Sequence, residues 1–67
     1  MSDPFVKGAV DRFVANVTHT ARREVERVVR NALASGKLRG GESLTTAVTL
    51  SNDTVDLDIT IFSKIEL

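Results

Sequence analysis

The hydrophobic period of the chain changes once, at Gly36–Gly41. Before that point apolar residues recur every three or four positions. After it they recur every second position. The first spacing is the signature of a helix with one buried face, the second of a strand with one buried face. The pattern predicts an α+β fold ordered α-α-β-β, with two helices packed on one face of an antiparallel hairpin. Sixty-seven residues allow a single domain, 1–67. A domain of that size hides only about 60% of its unfolded surface, so its stability is expected to be small.

Asp3-Pro4 is a helix start, an acidic N-cap before proline at the first helical position. Val6, Val10, Phe13, Val14 and Val17 then share a stripe, which predicts a helix over about 4–17. Thr18-His19-Thr20 interrupts that stripe, and Thr20 is a good N-cap. A second helix is expected over about 21–35, burying Ala21, Val25, Val28, Val29, Ala32 and Leu33. Its outer face carries Glu24–Arg27 and Glu26–Arg30 at helical ion-pair spacing. Gly36 after Ser35 is the expected stop.

Beyond Gly40-Gly41, strands are expected over about 44–50 and about 55–66. A tight turn at Asn52-Asp53 would set Leu50 against Val55, Val48 against Leu57, Thr46 against Ile59 and Leu44 against Ile61. All apolar positions then share one face. The expected core is Val6, Val10, Phe13, Val14, Val17, Val25, Val28, Val29, Leu33, Val48, Leu50, Val55, Leu57, Ile59 and Ile61. In this register the second strand overhangs its partner, and either 38–43 supplies more pairing around the two glycines or Phe62–Leu67 is an unpaired edge. Phe62, Ile65 and Leu67 become a candidate self-association edge, because an unpaired strand edge invites another chain.

Composition removes several classes. Without cysteine there are no disulfides, and His19 alone cannot build a zinc site. No metal site and no cofactor are expected. Met1-Ser2-Asp3-Pro4 does not open a secretory signal, and no apolar run reaches membrane-spanning length, so a cytoplasmic chain with no membrane association is expected. The formal net charge of zero hides an asymmetry. Residues 1–39 hold eight basic and four acidic side chains, +4; residues 40–67 hold one basic and five acidic, −4.

No catalytic residue is expected. His19 would need a serine (Ser43, Ser51 or Ser63) and an orienting acid beside it, and no motif brings them together; it reads as a solvated turn residue. Asp53, Asp56 and Asp58, with Glu66, lack calcium-loop spacing and read as solubilising charge. Gly36-Lys37-Leu38-Arg39-Gly40-Gly41-Glu42 is glycine-rich but precedes a strand, so it reads as a helix stop rather than a phosphate loop. Arg22, Arg23, Arg27 and Arg30 support an alternative as a weak nucleic-acid binder, since two helices and a hairpin have the outline of a helix-turn-helix with a wing. The neutral balance and the interleaved Glu24 and Glu26 argue against it.

Residues 24–44 and 65–67 resemble a family of very small uncharacterised bacterial proteins. The shared pattern is Glu24-Val25-Glu26, Val29-Arg30, Ala32, Gly36-Lys37-Leu38-Arg39-Gly40, Glu42 and Leu44, closing on Ile65-Glu66-Leu67. That resemblance implies no activity. The leading expectation is a small non-enzymatic interaction module, binding an unidentified protein partner or a second copy of itself as a homodimer.

Overall fold

The structure, a computed structural model, describes residues 3–67. Met1 and Ser2, which enter only the reading of the N-terminus, lie outside the described residues. One helix, α1 (Pro4–Ala34), is followed by strands β1 (Ser43–Asn52) and β2 (Leu57–Glu66). The two strands form an antiparallel hairpin.

The expected pair of helices is therefore a single helix of 31 residues. Thr18-His19-Thr20 does not break it, because the apolar stripe keeps its phase across these residues. Val14, Val17, Ala21, Val25 and Val28 follow one another at steps of three or four. Threonine and histidine cost a helix only about 0.7 kcal/mol each at most, whereas a break is normally enforced by proline or glycine. Thr20 could cap a helix but is not required to.

The ends are as the sequence reading has them. The Asp3 carboxylate accepts the Phe5 N–H at 2.9 Å, with Pro4 at the first helical position. At the far end the Gly36 N–H donates to the Leu33 carbonyl at 3.3 Å, and the Leu38 N–H to the Ala32 carbonyl at 3.1 Å. This wrap places Gly36 at φ +80°, a left-handed conformation that glycine adopts without penalty.

The hairpin differs from expectation in its turn, and the difference shifts the register by four residues. Leu44 pairs with Ile65, Thr46 with Ser63, Val48 with Ile61 and Leu50 with Ile59. The connection is a four-residue loop, 53–56, held from below by Asn52. Its side-chain oxygen accepts the Thr54 N–H at 2.9 Å and the Val55 N–H at 3.4 Å. Asp56 closes the loop at φ +55°, a conformation that aspartate tolerates better than most residues. Val55 is thus a loop residue and not a strand position. The shift is an even number of residues, so each side chain keeps its expected face. It also removes the expected overhang: β2 is paired to its end, and the Leu67 N–H donates to the Glu42 carbonyl at 2.9 Å.

The hairpin lies along the helix. Its tip approaches the N-terminal part of α1, where Leu50, Val55 and Leu57 share a cavity with Ala9, Val10 and Phe13. Its open end approaches the C-terminal part, where Leu44 and Ile65 meet Val25, Val28 and Val29. No Cα of the helix lies within 8 Å of a strand Cα. The molecule measures 50 × 19 × 19 Å.

No closed core forms. None of the described side chains is buried. The radius of gyration is 15.9 Å, against about 11 Å for a compact chain of this length.

Candidate functional site

The expected core exists as an open layer. Leu44, Leu50, Leu57 and Ile65, near the two ends of the hairpin, are half-buried and line cavities together with helix residues. Between them Val48, Ile59 and Ile61 remain 42, 46 and 49% exposed. The facing helix stripe is equally open, with Val10, Phe13, Val14 and Val28 more than half exposed. One helix is too narrow to cover a sheet face, and a two-stranded sheet cannot curl over a helix. The result is a continuous apolar surface along the molecule, far larger than the isolated apolar side chains of an ordinary monomer surface. An open groove of about 570 Å³ runs beside the middle of the helix, lined by Val17, Ala21, Val25, Val29 and Ile65.

The arginines do not gather into one surface. At about 100° per residue, Arg23, Arg27 and Arg30 share one side of α1 while Arg22 points to another. Arg22 borders the groove beside Ala21 and Val25. Arg27 is bonded to Glu24 at 2.7 Å and Arg30 to Glu26 at 2.9 Å. These are the pairs that the spacing predicts, and a third joins Lys7 to Asp11 at 3.0 Å. Two of the four arginines therefore have carboxylates beside them where a phosphate would have to sit, which weakens a nucleic-acid interface. The candidate edge residues are also separated. Phe62 pairs with Ala47 on the outer face of the hairpin and is 69% exposed, while Ile65 lies on the helix side and Leu67 follows the last strand residue.

The residues considered for chemistry stay apart. His19 is exposed on the helix, about 200° around from Val17. Ser43 and Ser63 lie on the hairpin, where Ser43 makes a long 3.5 Å contact with Glu66. Among the described residues no cluster of His, Cys, Asp and Glu could hold a metal ion, and no helix is long and apolar enough to cross a membrane.

The glycine-rich loop, by contrast, holds an anion of its own. The Glu42 carboxylate accepts the Arg39 N–H at 2.8 Å and the Gly40 N–H at 2.7 Å. Gly40 and Gly41 lie at φ +95° and +87°, which turns the chain back over that carboxylate. The Arg39 amide, more than any other group, holds the Glu42 carboxyl below its ordinary range. Glu24 is lowered likewise, chiefly by its hydrogen bond from Arg27.

The description of the matching family is as open as the surface. The family of unknown function DUF6494 matches residues 1–67. The chain belongs to this family. No curated protein and no solved structure matches the chain. The likeness to a small uncharacterised family, read from residues 24–44 and 65–67, fits this match, which covers the whole chain of the DUF6494 member.

The lowered carboxyls of this DUF6494 member carry a pH prediction. A carboxyl with a depressed folded-state pKa contributes stability that is fully present above its unfolded value, near the ordinary 4.5 of a glutamate. That contribution is lost as pH falls through the lower folded value. Thermal midpoints should be flat from neutral pH down to about pH 5 and fall below it. Glu42→Gln should make the acid fall shallower, because an amide has no proton to take up. Circular dichroism melts across that range check both.

Proposed function

We propose that this protein is a non-enzymatic interaction module that offers its open apolar layer to another polypeptide. One observation carries the reading: none of the described side chains is buried, although the layer is made of valine, isoleucine, leucine and phenylalanine. Apolar area left in water contributes nothing to folding, and closing it recovers about 25 cal/mol for each Å² covered. A partner that covers the layer therefore stabilises the fold as it binds, because it binds the folded state alone. A cytoplasmic site of action belongs to the same proposal; its support is a chain without cysteine.

The test uses a dye that fluoresces on exposed apolar surface. At concentrations where it is a monomer, the folded protein should bind anilinonaphthalene sulfonate and still melt cooperatively. Cooperative melting separates an open native layer from a molten state, which also binds the dye. A monomer that melts cooperatively and leaves the dye dark would overturn the reading.

A further inference from the structure

Three separate features of the chain specify what covers the layer. The first is area. The accessible surface is 5939 Å², against about 4,200 Å² for a compact monomer of 7.3 kDa. The excess of about 1,700 Å² per chain, hidden on two chains at once, amounts to about 3,400 Å². That falls within the range of obligate homodimers, and well above the standard interface of about 1,600 Å².

The second feature is charge along the long axis. Because the hairpin tip lies beside the N-terminal part of the helix, distant charges sort into two ends. Residues 3–16 and 50–60 form the tip end, with two basic side chains (Lys7, Arg12) and five acidic ones (Asp3, Asp11, Asp53, Asp56, Asp58), a formal −3. Residues 17–49 and 61–67 form the other end, with seven basic and four acidic side chains, a formal +3. Among the described residues the three ion pairs all lie within the helix, so none joins helix to hairpin or end to end. The two ends of a 50 Å molecule are screened from each other at physiological salt, where the Debye length is about 8 Å. Each end therefore responds to whatever lies directly beside it.

The third feature is a symmetry in the helix stripe. Val6, Val10, Phe13 and Val17 are placed about His19 as Ala32, Val28, Val25 and Ala21 are on its other side. The stripe has the same spacing in both directions. Two such helices laid antiparallel bring Val10 level with Val28, Phe13 with Val25 and Val17 with Ala21. The largest side chain is then level with the groove at Val25, and the smaller ones meet at the centre.

We infer that the layer is closed by a second copy of the chain, lying antiparallel across a two-fold axis level with His19. This rests on the interaction-module reading and names its partner. The contact is isologous, each apolar layer covering the other. The acidic tip end of each copy lies beside the basic end of its partner. A parallel arrangement would set −3 beside −3 and +3 beside +3, and would not bring Phe13 level with Val25.

Single spin labels distinguish the arrangements, since the chain has no cysteine of its own. Cysteines are placed separately by His19→Cys, level with the axis, and by Ala34→Cys, at the basic end; both positions are exposed. Distances between labels on the two copies are read by pulsed electron resonance, with sedimentation equilibrium run on the unlabelled protein. The antiparallel dimer gives a His19 distance set by the width of the helix pair alone and a longer Ala34 distance of roughly 45 Å or more, because thirty helical residues separate the two Ala34 levels. An Ala34 distance no longer than the His19 distance overturns the antiparallel arrangement. A protein that sediments as a monomer at 200 μM, with no intermolecular signal, overturns the second copy as the partner. In that case the dye decides about the underlying reading: a monomer that binds it keeps the open layer for a different polypeptide, and one that does not loses both.

Discussion

Ala21→Pro is expected to destabilise the protein by about 3 kcal/mol or more. The whole stability of a chain of this length is about 3–10 kcal/mol, so the variant should be largely unfolded or melt far below the parent. The position separates two architectures. If a second helix began after an N-cap at Thr20, Ala21 would be its first residue, where proline is welcome and has no helical hydrogen bond to lose. In the continuous helix Pro4–Ala34, Ala21 is an interior residue. Proline there removes its bond to the Val17 carbonyl and clashes with the preceding turn. Circular dichroism melts of Ala21→Pro beside Ala21→Gly, which should cost only about 1 kcal/mol, give the comparison. Equal midpoints for Ala21→Pro and the parent would place a helix boundary at Thr20.

Ile61→Asp has the second largest expected effect, and it acts on association. Ile61 pairs with Val48 in mid-hairpin, and both face the open layer. Nearly half of Ile61 is exposed in the single chain, so a carboxylate there stays hydrated until a partner covers it. Covering it without a counter-charge costs several kcal/mol, which outweighs the gain from burying its neighbours. Sedimentation equilibrium should return the mass of one chain, 7.3 kDa, at concentrations where the parent is heavier. Thr45→Asp is the control. It stands on the other face of the hairpin, opposite Lys64, and should leave the mass unchanged. An Ile61→Asp protein as heavy as the parent would move the contact away from this face.

Much of the local structure is legible in short stretches of the chain, because the forces behind it act over three or four residues. Asp3-Pro4 starts the helix and Ser35-Gly36 stops it. Glu24–Arg27 and Glu26–Arg30 pair as their spacing requires. Alternation places Leu44, Val48, Leu50, Ile59 and Ile61 on one face for any even shift of register, such as the four-residue shift found here. Two readings differ from the structure. Thr20 reads as the N-cap of a second helix after an interrupted stripe, and Asn52-Asp53 reads as a two-residue turn. Thr20 remains inside a helix because the stripe continues from Val17 to Ala21. Asn52 ends a strand and holds the loop after it, through Thr54 and Val55, instead of occupying the turn itself.

The candidate surface was harder to read, because exposure is not a local property. Val48, Ile59 and Ile61 are indistinguishable in the sequence from residues of a closed core. Their half-exposed state follows from the number of layers available to cover them. With two helices folded back on the hairpin, the face would be covered. With one 31-residue helix lying along it, the face remains open.

The helix start at Asp3-Pro4, its stop at Gly36 and the faces of the strands are written in the chain itself. Each of these is decided by neighbours one to four positions away. That the hairpin runs along the helix with its acidic tip at the helix N-terminus, and that the layer between them stays open, is a matter of tertiary structure. Those outcomes depend on which distant surfaces meet and on how much area is left once they have met, and no short window of residues contains either quantity.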